Sequence, residues 1–153
     1  MEKTACEILI GLTMAYICIT DWRSYTIYNE NLCVLAFLII VESLLGSADY
    51  ISRAYGMVFA FSIFAVIFYI KEGMIGAGDV KLAGVLGLWL GWPSAVIAVY
   101  LSFMLGGLIA VFCLMLRLKE HHSRLPFAPF MIAASIAVNL CGDELYELWL
   151  GIV

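Results

Sequence analysis

Six apolar runs, at 6–20, 32–47, 54–70, 80–92, 95–116 and 127–140, are separated only by short polar breaks. That rhythm constrains the chain more than any other feature. A membrane-crossing helix needs roughly 20 predominantly apolar residues, with a range of about 17–25. Only helices or closed barrels satisfy their backbone inside lipid, and these runs are too continuous for the alternating strands of a barrel. Of the 153 residues, 65% are hydrophobic and 13% charged, whereas a soluble domain is roughly half apolar and one quarter charged. A core of this size cannot hide that excess, so lipid is the solvent. The expected fold is an all-α integral membrane protein: one transmembrane domain over residues 1–153, built as a bundle of about six transmembrane helices. Five or seven stay open, because the run 80–92 is short and its end is confused by Gly91-Trp92-Pro93. That tripeptide reads as a tight turn, since Pro93 cannot continue a helix interior.

Charge and cysteine usage remove several function classes. The formal charge of −4 is small, and no basic stretch suggests nucleic acid as a partner. Cys6, Cys18, Cys33, Cys113 and Cys141 are scattered through apolar runs without a CxxC pair, which argues against a zinc site or a disulfide framework. No metal and no cofactor is expected. The start of the chain has a poor basic region and no small-residue cleavage site before Asp21, so the first run reads as a retained helix rather than a signal peptide.

Lys and Arg set the orientation. With six helices, the breaks at 21–31, 71–79 and 117–126 share one side, together with Lys81. That side carries Arg23, Lys71, Lys81, Arg117, Lys119 and Arg124, whereas the other carries Lys3 and Arg53. The first side is expected to be cytoplasmic. Asp21 and Asp79 both fall on it, each where membrane should meet water.

A carboxylate close to hydrocarbon is costly, so each of these acids is a candidate functional group. Gly76 and Gly78 flank Ala77 just ahead of Asp79 and offer backbone conformations closed to other residues. Two carboxylates brought together titrate as a coupled pair. One can then take a proton from water while the other donates to a peptide carbonyl, as in an aspartic protease. The plainer readings are a helix N-cap for Asp79 and a juxtamembrane acid beside Arg23 for Asp21.

Three segments carry a resemblance. Gly76-Ala77-Gly78-Asp79-Val80-Lys81 resembles the GxGDxK signature of the type IV prepilin peptidases, integral-membrane aspartic proteases. Asp21 followed by Ile27-Tyr28-Asn29 is similar to that family's first-acid segment, in which Ile-Pro-Asn follows the Asp. Leu125-Pro126-Phe127-Ala128-Pro129-Phe130 resembles its late PFGP-type segment. The resemblance implies that Asp21 and Asp79 are the catalytic pair. It implies that the substrate is a prepilin or pseudopilin, cut at the cytoplasmic face of the bacterial inner membrane between a basic leader and the apolar helix that follows. Tyr28 stands where the family has proline, and Ala128 where it has glycine. The length resembles the short branch serving Flp/Tad-type pili, the TadV or CpaA group. Larger members carry a cysteine-rich region linked to N-methylation, so peptidase activity without methyl transfer is expected.

Other residues are candidates for shaping the site. Lys81, two positions after Asp79, points to a different helix face and either holds a leader, headgroup or carboxylate or anchors the helix. Asn29 either bonds the loop carrying Asp21 or caps the second helix. Pro126, Phe127 and Pro129 shape the entry to the last helix. The loop 71–78 reads as a gate, and His121 and His122 as a solvated loop face. Trp22, Trp89, Trp92 and Trp149 fit an interfacial belt. Glu42 receives no role, Gly106 and Gly107 permit close helix packing, and 143–153 reads as an amphipathic surface piece. Two other functions compete: a small proton-coupled transporter, and a non-catalytic subunit of a pilus or secretion machine.

Overall fold

The computed structural model describes residues 2–46, 49–70, 75–116 and 126–152. These form six helices: α1 (Glu2–Ser24), α2 (Asn29–Leu45), α3 (Tyr50–Ile70), α4 (Ala77–Leu90), α5 (Ser94–Met115) and α6 (Ala128–Ile152). Among the described residues there is no strand. Each apolar run is the body of one helix, because leucine, isoleucine, phenylalanine and alanine in lipid have no hydrogen-bonding alternative to the helix. The chain is an all-α membrane protein. Three spans, Lys3–Ser24, Tyr50–Ile70 and Ser94–Cys113, are long and apolar enough to cross a bilayer by length and composition. The others are shorter: α2 has 17 residues, α4 has 14, and the apolar part of α6 is Ala128–Gly142.

Buried residues recur at helical spacing on each helix. On α1 they are Ile10, Met14, Ile17 and then Asp21; on α2, Leu32, Leu35, Ile39 and then Glu42. On α4 they are Val80, Leu82, Ala83 and Leu86. Packed between α2, α3, α5 and α6, α4 is the bundle's central element, and α1 closes against α2 and α6. The α3–α4 seam is the tightest. A Cβ on Gly87 would lie 2.3 Å from the Gly56 carbonyl oxygen, and one on Gly56 2.5 Å from the Gly87 carbonyl oxygen. Small residues let two helix backbones touch where lipid supplies no hydrophobic drive.

Alternating chain direction gathers the C-terminus of α1 and the N-termini of α2, α4 and α6 at one end. The opposite end has its own polar ties. Arg53 of α3 pairs with buried Glu42 of α2 at 3.0 Å and donates to Ser43, while Lys3 of α1 approaches Glu42 at 4.0 Å. Glu42 is thus a compensated buried acid. The turn at Gly91-Trp92-Pro93 is present, with Gly91 in the left-handed region at φ 72°. It is held because Ser52 Oγ donates to the Trp92 carbonyl at 2.7 Å.

The tail continues α6 as helix through a non-helical residue, Cys141 (φ −121°, ψ 26°). Whether it lies on the surface depends on side chains outside the described residues. Lys71, Arg117, Lys119, His121, His122, Arg124 and residues 71–74 of the loop 71–78 also lie outside them, as does the side chain of Trp149. Of the remaining tryptophans, Trp22 and Trp92 are exposed and Trp89 is half-buried.

Candidate active site

Asp21 stands at the inward-facing end of the α1 stripe, 5% exposed. The helix closes behind it. Tyr25 N–H donates to the Asp21 carbonyl at 2.9 Å, and Tyr25 turns into the left-handed region at φ 52°. The chain crosses to α2 through Thr26, Ile27 and Tyr28. Tyr28, ahead of α2, has φ −74° and ψ 134°. A proline, the residue that the resemblance puts at this position, would hold that φ unaided, and the tyrosine adopts it too.

Asp79 enters from α4. Gly76 is the N-cap, with φ −77° and ψ 149°, and Asp79 is the third helical residue. Its Oδ2 reaches back one turn to accept the Gly76 N–H at 3.0 Å, the acid half of a capping box. Asp79 is therefore not the N-cap that its position before an apolar run suggested. The glycines also act differently from expectation. Gly76 has an ordinary φ and Gly78 is helical. What they provide is room. A Cβ on Gly78 would lie 2.9 Å from the Ile27 Cβ, and one on Gly76 3.2 Å from Asp79 Oδ2. The bare Gly78 lets the start of α4 close onto the loop that follows Asp21.

The N-terminus of α6 completes the cluster. Ala128 N–H donates to Asp21 Oδ2 at 3.1 Å. Pro126 is buried, and Pro129 sits half-buried in the first turn, where a helix has no use for an N–H. Phe127 locks this entry in place. Its ring meets Phe64, Phe103 and Phe130 at centroid distances of 5.8, 5.5 and 6.2 Å. It fits because α5 has Gly106 beneath it, where a Cβ would lie 2.6 Å from Phe127 Cε2. Gly107 faces open space, so only one of the two glycines serves close packing.

Lys81 lies on the exposed face of α4, away from Asp79. Its Nζ donates to Asn29 Oδ1 at 2.8 Å. Asn29 is the first residue of α2 rather than its cap, so the pair ties the start of α2 to the start of α4.

All nine site residues named from the sequence therefore come from elements gathered at one end of the bundle. The two acids also interact electrostatically. Asp79 lies in the first turn of α4, ahead of the apolar run 80–92. Burial pushes its carboxyl up to about 6; the Gly76 amide opposes this, and the Asp21 charge adds to it. Asp79 Oδ1 is buried without a hydrogen-bond partner among the described residues. Two interacting carboxyls sharing a proton can activate a water and protonate a carbonyl. Among the described residues no three His, Cys, Asp or Glu side chains gather as a metal site.

Residues 8–111 match the model of the type IV leader peptidase family. The chain belongs to that family. The matched segment contains both Asp21 and Asp79, while the Pro126–Pro129 entry lies beyond it. Type IV leader peptidase relatives include three proteins named prepilin leader peptidase/N-methyltransferase. That of Pseudomonas putida is 41% identical over 76 residues, covering 50% of this chain and 26% of the relative. That of Pseudomonas aeruginosa is 33% identical over 102 residues, covering 63% and 35%. That of Bacillus subtilis is 28% identical over 151 residues, covering 98% and 60%. The chain thus spans from about a quarter to three fifths of these relatives' lengths. No solved structure matches the chain.

Sequence reasoning missed two contributors. The Ala128 amide is a backbone group, which no residue type announces. Ile27 was legible only as part of a motif, not as the surface that Gly78 must meet.

Proposed function

We propose that this chain is a membrane aspartic endopeptidase that removes the basic leader from prepilin-like precursors, including those of Flp-type pili. Asp21 and Asp79 activate the attacking water. One observation carries the reading: two interacting carboxyls from α1 and α4 sit at the same end of the bundle, each held by a backbone amide, in a chain of the leader peptidase family. The substrate class is that in the names of the relatives.

The site's place at the helix ends suits a bond lying just outside a substrate's apolar helix. It suits a proton-coupled transporter less well, since relay acids are needed within the span. A cytoplasmic orientation in the bacterial inner membrane is supported by the distribution of Lys and Arg. Lys3 and Arg53, the two cations at the far end, are both drawn to Glu42.

The test uses purified protein in detergent, a synthetic prepilin and mass spectrometry of the cut ends. Asp21→Asn and Asp79→Asn each abolish cleavage while the protein still inserts. Full activity in either variant overturns the proposal and favours the assembly-subunit reading. The product masses also test the expectation that cleavage proceeds without methyl transfer.

A further inference from the structure

The two acids are not equivalent. Asp21 Oδ2 accepts the amide of Ala128, the first residue of α6. Helix N-termini present unsatisfied N–H groups and the positive end of the dipole, and so favour a negative partner. Asp79 also accepts one amide, from Gly76. Its second oxygen differs. Among the described residues, Asp79 Oδ1 and Glu42 Oε2 are the buried side-chain oxygens without a hydrogen bond, and Glu42 has the Arg53 guanidinium at 3.0 Å. Among the described residues, Asp79 Oδ1 has no such cation. An ionised oxygen buried without a partner is costly, and protonation removes that cost.

We propose that the amide at the start of α6 holds Asp21 as the ionised member of the pair, leaving Asp79 to carry the shared proton on Oδ1. This rests on the peptidase reading above. Among the described residues, the other titratable groups near this end do not reverse the assignment. Arg23, Tyr25, Tyr28, Glu30 and Tyr69 are exposed, and the Lys81 ammonium is bonded to Asn29 on the other face of α4.

The roles then follow in balanced steps. Ionised Asp21 takes a proton from water as the hydroxide oxygen bonds to the peptide carbonyl carbon, and Asp79 gives its proton to the carbonyl oxygen. The resulting gem-diol collapses as Asp21 returns its proton to the leaving nitrogen and the C–N bond breaks. Asp79 recovers a proton from a diol hydroxyl. Both acids end in their starting states, and the net change is addition of one water across the bond.

Infrared spectroscopy of the substrate-free protein in detergent, with an isotope label at the aspartate carboxyl carbon, tests the assignment. The spectrum is taken at a pH of about 5, above the ordinary Asp range and below the Asp79 value of about 6. The wild type shows a protonated carboxyl stretch that shifts with the label. Asp79→Asn removes that band and Asp21→Asn keeps it, because the buried oxygen without a hydrogen bond among the described residues belongs to Asp79. A further variant, Ala128→Pro, removes the donor at a first helical position, where proline fits. Added to Asp79→Asn, it restores a band, now from Asp21. A band that survives Asp79→Asn, disappears in Asp21→Asn, or is missing from the wild type overturns the assignment. No restored band overturns the role of the α6 amide. Cleavage of a synthetic prepilin by the same wild-type sample separates the two questions. Cleavage without the expected bands defeats the assignment alone, while no cleavage defeats the peptidase reading.

Discussion

Lys81 Nζ and Asn29 Oδ1, 52 positions apart in the chain, meet at 2.8 Å. The bond joins the first turn of α2 to the second turn of α4, and so links the elements that follow Asp21 and carry Asp79. Because both partners are exposed, the energetic share is small. Lys81→Ala and Asn29→Ala, singly and together, give a coupling of about 0.5–1 kcal/mol in a double-mutant cycle of denaturant unfolding. Lys81→Arg does not restore full prepilin cleavage, since a guanidinium fork differs in reach and geometry from an ammonium.

Gly78 meets Ile27 where no Cβ fits. Gly78→Ala overpacks this contact and costs about 1–3 kcal/mol, with cleavage falling as the loop after Asp21 is pushed away from α4. Ile27→Ala in the same chain recovers part of both losses. The double variant, compared with each single by unfolding and by prepilin cleavage, checks this.

Glu42 and Arg53 form the tie at the far end. Removing one partner leaves an uncompensated buried charge, so Arg53→Ala destabilises by about 3–5 kcal/mol. Replacing both, as Glu42→Leu with Arg53→Met, returns most of that stability. Thermal unfolding of the three variants in one detergent shows the order.

The Asp79 carboxyl, raised to about 6, sets the direction of the pH response. A pair that works with one proton loses it as pH rises, so kcat/KM, which reports the free enzyme, falls as pH increases through about 6. Stability moves the same way. An ordinary Asp titrates near ~4, so with the folded value raised, the stabilisation is full below ~4 and is lost as pH rises through the folded value. Asp79→Asn flattens this stability loss, measured by unfolding between pH about 4 and about 7.

Helix number, helix order and the end of the bundle that holds the acids were legible, because apolar runs and the spacing of Lys and Arg record lipid directly. Helix limits were less so. At the start of α1 and the end of α6, polar residues continue a helix that hydropathy alone would stop. The stripe Ile10, Met14, Ile17, Asp21 shows that the inward aim of Asp21 was also available from spacing. Glu42 carried a signal that went unread, since Lys3 and Arg53 were the two cations assigned to the same side. The seat of Phe127 on Gly106 and the donor at Ala128 were beyond reach. They depend on which helices become neighbours, and that is decided by packing across the whole bundle.

Gly56 and Gly87 let the α3 and α4 backbones rest on one another without intervening side chains. Seams of that kind slide poorly, because any displacement drives carbonyls into main chain. Asp79 consequently travels with α3 as one body.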